Sequence, residues 1–88
     1  MGDVAATLKV MPASPEVDLE DLSTQIEGAL PDGSSLRAVD QEDVAFGLVA
    51  LLASVIVADA EGGTEAVEAA IADLDDVESV SVENVGRL

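Results

Sequence analysis

A chain of 88 residues holds one hydrophobic core and leaves no room for a second domain or a deep enclosed active site, so it reads as a single domain over residues 1–88. Nineteen acidic side chains stand against only Lys9, Arg37 and Arg87, a formal charge of −16, and the sequence contains neither histidine nor cysteine. Three scattered cations exclude direct binding to a phosphate backbone, and the two missing residue types remove the commonest general base, the thiolate nucleophile and the usual transition-metal ligands together.

What remains is a non-enzymatic domain with no catalytic residue, no cofactor and no metal, whose direct partners are proteins rather than nucleic acid or membrane. Strong acidity often marks disorder, but 49% of these residues are hydrophobic and fall in periodic segments, which marks a folded chain. The charge therefore points to a salt-adapted, halophilic host. Screening shortens from a Debye length of about 8 Å at physiological strength to about 3 Å at 1 M salt, where such a surface stops repelling itself. The lack of cysteine fits a reducing cytoplasm. The start Met1-Gly2-Asp3-Val4-Ala5-Ala6 has no basic, apolar leader. The longest apolar stretch, Ala45 to Ala58, contains Gly47 and Ser54 and falls short of the ~20 residues of a membrane-spanning helix.

Taken in chain order, Val4 to Met11 alternates in the strand period, with Val4, Ala6, Leu8 and Val10 on one face. Pro12, Ser14 and Pro15 break it. Asp18 then caps a helix running to about Leu30, with Leu19, Leu22, Ile26 and Leu30 at helical spacing. Pro31-Asp32-Gly33 ends the helix and turns the chain. Leu36 to Glu42 reads as a weaker strand with a turn at Asp40 to Asp43, and Phe46 to Ala58 as a strand apolar on both faces. After a turn at Glu61-Gly62-Gly63, Thr64 caps a second helix whose stripe is Val67, Ala70, Ile71 and Leu74. Ser79 to Glu83 alternates strictly and gives a last strand that ends before Val85-Gly86-Arg87-Leu88. The order β-α-β-β-α-β predicts an α+β, ferredoxin-like sandwich: a four-stranded antiparallel sheet with two helices on one face and the first and third strands central. The helix-free face is then partly apolar, which suits docking or a weak homo-oligomer.

Individual constellations carry little chemistry. Gly62-Gly63-Thr64 has the form of an anion cradle, but Asp59, Glu61 and Glu65 surround it, so it reads as a turn and cap. Glu20-Asp21 and Asp75-Asp76 lack the loop spacing of calcium or catalytic pairs and read as solvated charge. Phe46, the only aromatic residue, serves either the core or a contact. Arg87 has no structural reason to sit next to the end of so acidic a chain, and is the strongest single candidate for function.

Several segments resemble the archaeal translation elongation factor 1-beta family: Gly2-Asp3-Val4-Ala5-Ala6, Val44-Ala45-Phe46-Gly47-Leu48 running into Ala50-Leu51, Gly62-Gly63-Thr64-Glu65, and Val85-Gly86-Arg87-Leu88. The resemblance implies a guanine nucleotide exchange factor that binds the GTPase elongation factor 1-alpha, promotes GDP release and lets GTP rebind. It further implies that Arg87, at the penultimate position where eukaryotic relatives carry lysine, reaches toward the partner's magnesium and phosphate region, with Leu88 beside it. The segment around Phe46-Gly47 resembles the family's glycine-aromatic-glycine stretch, with Ala45 in place of the first glycine, and the resemblance implies partner contacts at Val44, Phe46 and Gly47. Where eukaryotic relatives carry another aromatic contact, this chain has Gln41 and Glu42.

The same topology serves other classes. An RNA-recognition module needs aromatic side chains and positive charge on its sheet. A small-molecule regulatory domain needs a glycine turn where this chain has Pro12-Ala13-Ser14-Pro15, and an acylphosphatase needs an arginine in that same loop. A non-catalytic scaffold or homo-oligomerisation domain is the alternative to an exchange factor.

Overall fold

The computed structural model describes residues 3–45, 47–58 and 64–87, with the backbone alone at Ala58 and Arg87. Its elements run β1 (Asp3–Pro12), α1 (Leu19–Ala29), β2 (Ser34–Asp43), β3 (Val49–Ala58), α2 (Thr64–Ala72) and β4 (Val77–Arg87). The strands form one sheet in the order β2-β3-β1-β4, and every neighbouring pair is antiparallel. This is the ferredoxin-like arrangement expected from the sequence, with β1 and β3 in the centre.

Local chemistry accounts for the elements. The Asp18 side chain accepts hydrogen bonds from the N–H groups of Glu20 (3.0 Å) and Asp21 (3.5 Å), satisfying donors that the first turn of α1 leaves unpaired. Glu20 and Asp21 put negative charge at the positive end of the helix dipole. Leu30 is already extended, and Gly33, at φ 89°, supplies the left-handed residue that turns the chain into β2.

Alternation along β1 and β3 builds the core. Ala6, Leu8 and Val10 lie opposite Val55, Ala53 and Leu51, and this face meets Leu22 and Ile26 of α1 and Val67 and Ile71 of α2. Leu8, Leu22, Ile26, Leu51, Val55, Val67 and Ile71 are completely or almost completely buried, and no charged or polar side chain is buried among the described residues. Gln25 ties the two layers' ends together, donating to Asp21 on its own helix (2.9 Å) and to Asp76 in the α2–β4 turn (3.0 Å).

Several boundaries differ from the sequence reading. Asp40 to Asp43 belongs to β2, and the turn falls at Val44 to Leu48, so β3 begins at Val49 rather than Phe46. The acidic run looks like a loop only because β2 is an edge strand, exposed along most of its length. The last strand does not stop at Glu83; it pairs with β1 as far as Arg87, whose partner is Val4. Pro12 joins β1 beyond its last pair with β3 and at a register irregularity against β4, where a missing N–H is tolerated. Thr64 is the first residue of α2, and the Glu61-Gly62-Gly63 turn before it lies outside the described residues.

Candidate functional site

Of the predicted contact residues, Val44 and Gly47 fall at one end of the sheet and the Arg87 backbone at the opposite end. The β2–β3 connection is a tight hairpin: the Val44 N–H donates to the Leu48 carbonyl (2.9 Å) and the Leu48 N–H to the Ala45 carbonyl (3.0 Å). Gly47 occupies the third position of that turn at φ 81°, a left-handed conformation that glycine adopts without strain. A Cβ there meets no atom within 4 Å beyond its chain neighbours, so the constraint on a small side chain is conformational and not steric. Because β1 leaves β3 after the Val10–Leu51 pair, the hairpin continues beyond the central strands with only β2 and β3 paired. It ends in Asp43, Val44 and Ala45, all exposed, with Val44 at 42%.

At the other end, the Arg87 backbone pairs with Val4, beside the last residues of β3 and the first of β2. The ten residues of β3 separate the two ends, roughly 30 Å at strand rise, within a molecule 42 Å long. The sheet therefore does not bring Val44 and Gly47 together with Arg87. Phe46 and Leu88 lie outside the described residues, as does the Arg87 side chain.

Sequence reasoning missed Val85, which is 52% exposed two residues before Arg87. Alternation through Val80 and Val82 places Asn84 on the dry face, but an extra residue, Glu83, enters β4 between the pairs Leu8–Val82 and Thr7–Asn84. The bulge moves Val85 into register with Ala6, and it stays uncovered. The signal was present only as the loss of alternation after Glu83. Val44 and Val85, two of the three large exposed hydrophobics among the described residues, thus flank the two predicted contact ends.

Electrostatics is sparse. Lys9 reaches across β3 to Glu42 on β2 (3.0 Å), the one ion pair among the described residues. The hydrogen bond to Glu42 holds the Lys9 ammonium above its ordinary pKa; the Glu42 charge adds to this, burial of the stem opposes it slightly, and Glu83 contributes a further rise. Among the described residues, no group of three or more acidic side chains is placed to hold a metal ion. No described helix is long and apolar enough to cross a membrane.

The antiparallel ferredoxin-like sandwich thus carries exposed apolar side chains, Val44 and Val85, toward its two ends, a surface suited to docking. The family of the EF-1 guanine nucleotide exchange domain matches residues 5–88. Over its whole length the chain is 64% identical to the whole of elongation factor 1-beta from Haloarcula marismortui and 62% identical to that from Halorubrum lacusprofundi. It is 52% identical to that from Methanothermobacter thermautotrophicus, covering 99% of that protein. The chain belongs to the elongation factor 1-beta family and has the role of a guanine nucleotide exchange factor in translation elongation. Its acidic composition accords with its halophilic relatives.

Proposed function

We propose that residues 1–88 act as one cytoplasmic exchange domain that binds elongation factor 1-alpha through both ends of its sheet and drives GDP off without making or breaking a bond. The observation that carries this reading is the separation of the contact residues. Val44 and Gly47 belong to the hairpin, the Arg87 backbone to the far end of β4, and the sheet between them is continuous. A lever of this length holds one part of a GTPase while its other end intrudes on the nucleotide site. Arg87 supplies the intruding charge, a guanidinium competing for or repelling the groups that hold magnesium and phosphate. Val44 and its neighbours supply apolar anchorage.

Thermodynamically, the domain binds the nucleotide-free GTPase more tightly than the loaded form, and by reciprocity it lowers nucleotide affinity by the same factor. GTP then rebinds because it is supplied, not because it is selected. The test is release of a fluorescent GDP analogue from the cognate elongation factor 1-alpha in molar KCl. Catalytic amounts of the domain accelerate release many-fold if the proposal holds, and an unchanged rate at saturating domain rejects it.

A further inference from the structure

The helix-free face of the sheet carries a second feature, remote from the hairpin. One row of paired residues crosses all four strands: Ala38 on β2, Ser54 on β3, Thr7 on β1 and Asn84 on β4. Both irregularities of the edge strands flank this row. On β2 the extra residue is Arg37, between the pairs Leu36–Val55 and Ala38–Ser54; on β4 it is Glu83, next to the pair Thr7–Asn84. Bulges bend a strand and re-aim side chains, and two of them at one row curve the sheet around it.

The result is a shallow depression of about 270 Å³. Thr7, Ser54 and Asn84 give it polar groups, the small residues Ala5, Ala38 and Gly86 keep it open, and Arg37 lines it from the edge. In a chain of net charge −16 no carboxylate lines this depression. Lys9, further along the same face, is already engaged by Glu42. Arg37, Thr7, Ser54 and Asn84 all line the depression and make no side-chain hydrogen bond or ion pair with a described residue.

We infer that this depression is a recognition site for a carboxylate side chain presented by a protein partner. One guanidinium matches one planar, singly charged carboxylate in a two-pronged hydrogen bond, with hydroxyl and amide donors beside it. A doubly charged phosphate leaves excess negative charge on an already acidic molecule, and the shallow mouth suits a projecting side chain rather than an enclosed small molecule. The depression lies on the helix-free face toward the end where Val4 pairs with Arg87, and the inference does not depend on the mode of exchange proposed above.

The test follows backbone amide shifts of the isolated domain during titration with a short capped peptide alternating glutamate and glycine, at fixed ionic strength. Its glutamine counterpart and inorganic phosphate are the controls. The glutamate peptide gives saturable shifts centred on Thr7, Arg37, Ala38, Ser54 and Asn84, and neither control does so. Arg37→Gln weakens the binding about tenfold or more. Gly86→Val, whose new side chain meets no protein atom at Cβ, fills the depression and also weakens binding while the domain stays folded. Shifts scattered over the surface, equal binding by Arg37→Gln and wild type, or equal response to phosphate each overturn the inference.

Discussion

Gly47 and Lys9 show how single residues fix the geometry around the contact ends. At Gly47 the turn requires φ 81°, and the space around a Cβ is empty. Gly47→Ala therefore costs roughly 1–2 kcal/mol through backbone conformation alone. Chemical denaturation measures this, and a loss near zero contradicts the left-handed turn. Lys9 joins β1 to β2 across β3 through Glu42. Its pKa is raised in the folded state, so its stabilising contribution is complete below the unfolded lysine value and is lost as pH rises through the folded one. The melting-temperature gap between wild type and Lys9→Met accordingly stays constant at neutral pH and shrinks above about pH 10.5. A gap that widens there contradicts the ion pair.

At the scale of elements, the two faces of β3 make different demands on side chains of the same kind. Leu51 is 1% exposed against the helices, whereas Leu52, in the next position, is half-buried on the helix-free face beside Lys9. The sequence shows a strand apolar on both parities and does not reveal which parity the helices cover. Leu8→Ala, which empties a fully enclosed site, costs about 2–5 kcal/mol. Leu52→Ala, which opens to solvent and leaves no closed cavity, costs about 1–2 kcal/mol. Thermal or urea unfolding of the pair checks the order; equal losses contradict the assignment of faces.

Element types and their order were legible because period-two and period-3.6 patterns do not overlap in β1, α1 and α2. The edge strands were not so legible. β2 has little buried surface to impose alternation, and in β4 the Glu83 bulge resets it, so both strands extend beyond what their patterns announce. The site was legible in the same uneven way. Arg87 stood out by charge alone, and Val44 and Gly47 through resemblance. That the two groups lie at opposite ends follows from strand pairing, which no local pattern contains.

For the molecule as a whole, charge sets the working conditions. With no acidic side chain buried among the described residues, the negative charge lies on the surface of a body only 42 × 20 × 17 Å. Repulsion at that density is relieved by screening, so the melting temperature rises between about 0.1 M and 3 M KCl as the Debye length shortens from about 10 Å to under 3 Å. Circular dichroism across a salt series checks it, and an unchanged midpoint contradicts it. The same screening removes long-range steering and leaves exchange to short-range contacts, which the proposed mechanism assigns to the two ends of the sheet.

The most direct measurement of the two-ended mechanism is therefore GDP release from the cognate elongation factor 1-alpha at about 3 M KCl, where steering is screened out, driven by wild type or by Arg87→Ala. Arg87→Ala keeps the Val4 backbone pairing and the wild-type melting temperature, yet slows release about tenfold or more, a barrier rise of at least ~1.4 kcal/mol. Release at the wild-type rate under these conditions contradicts the assignment of Arg87 to the nucleotide site and with it the two-ended mechanism.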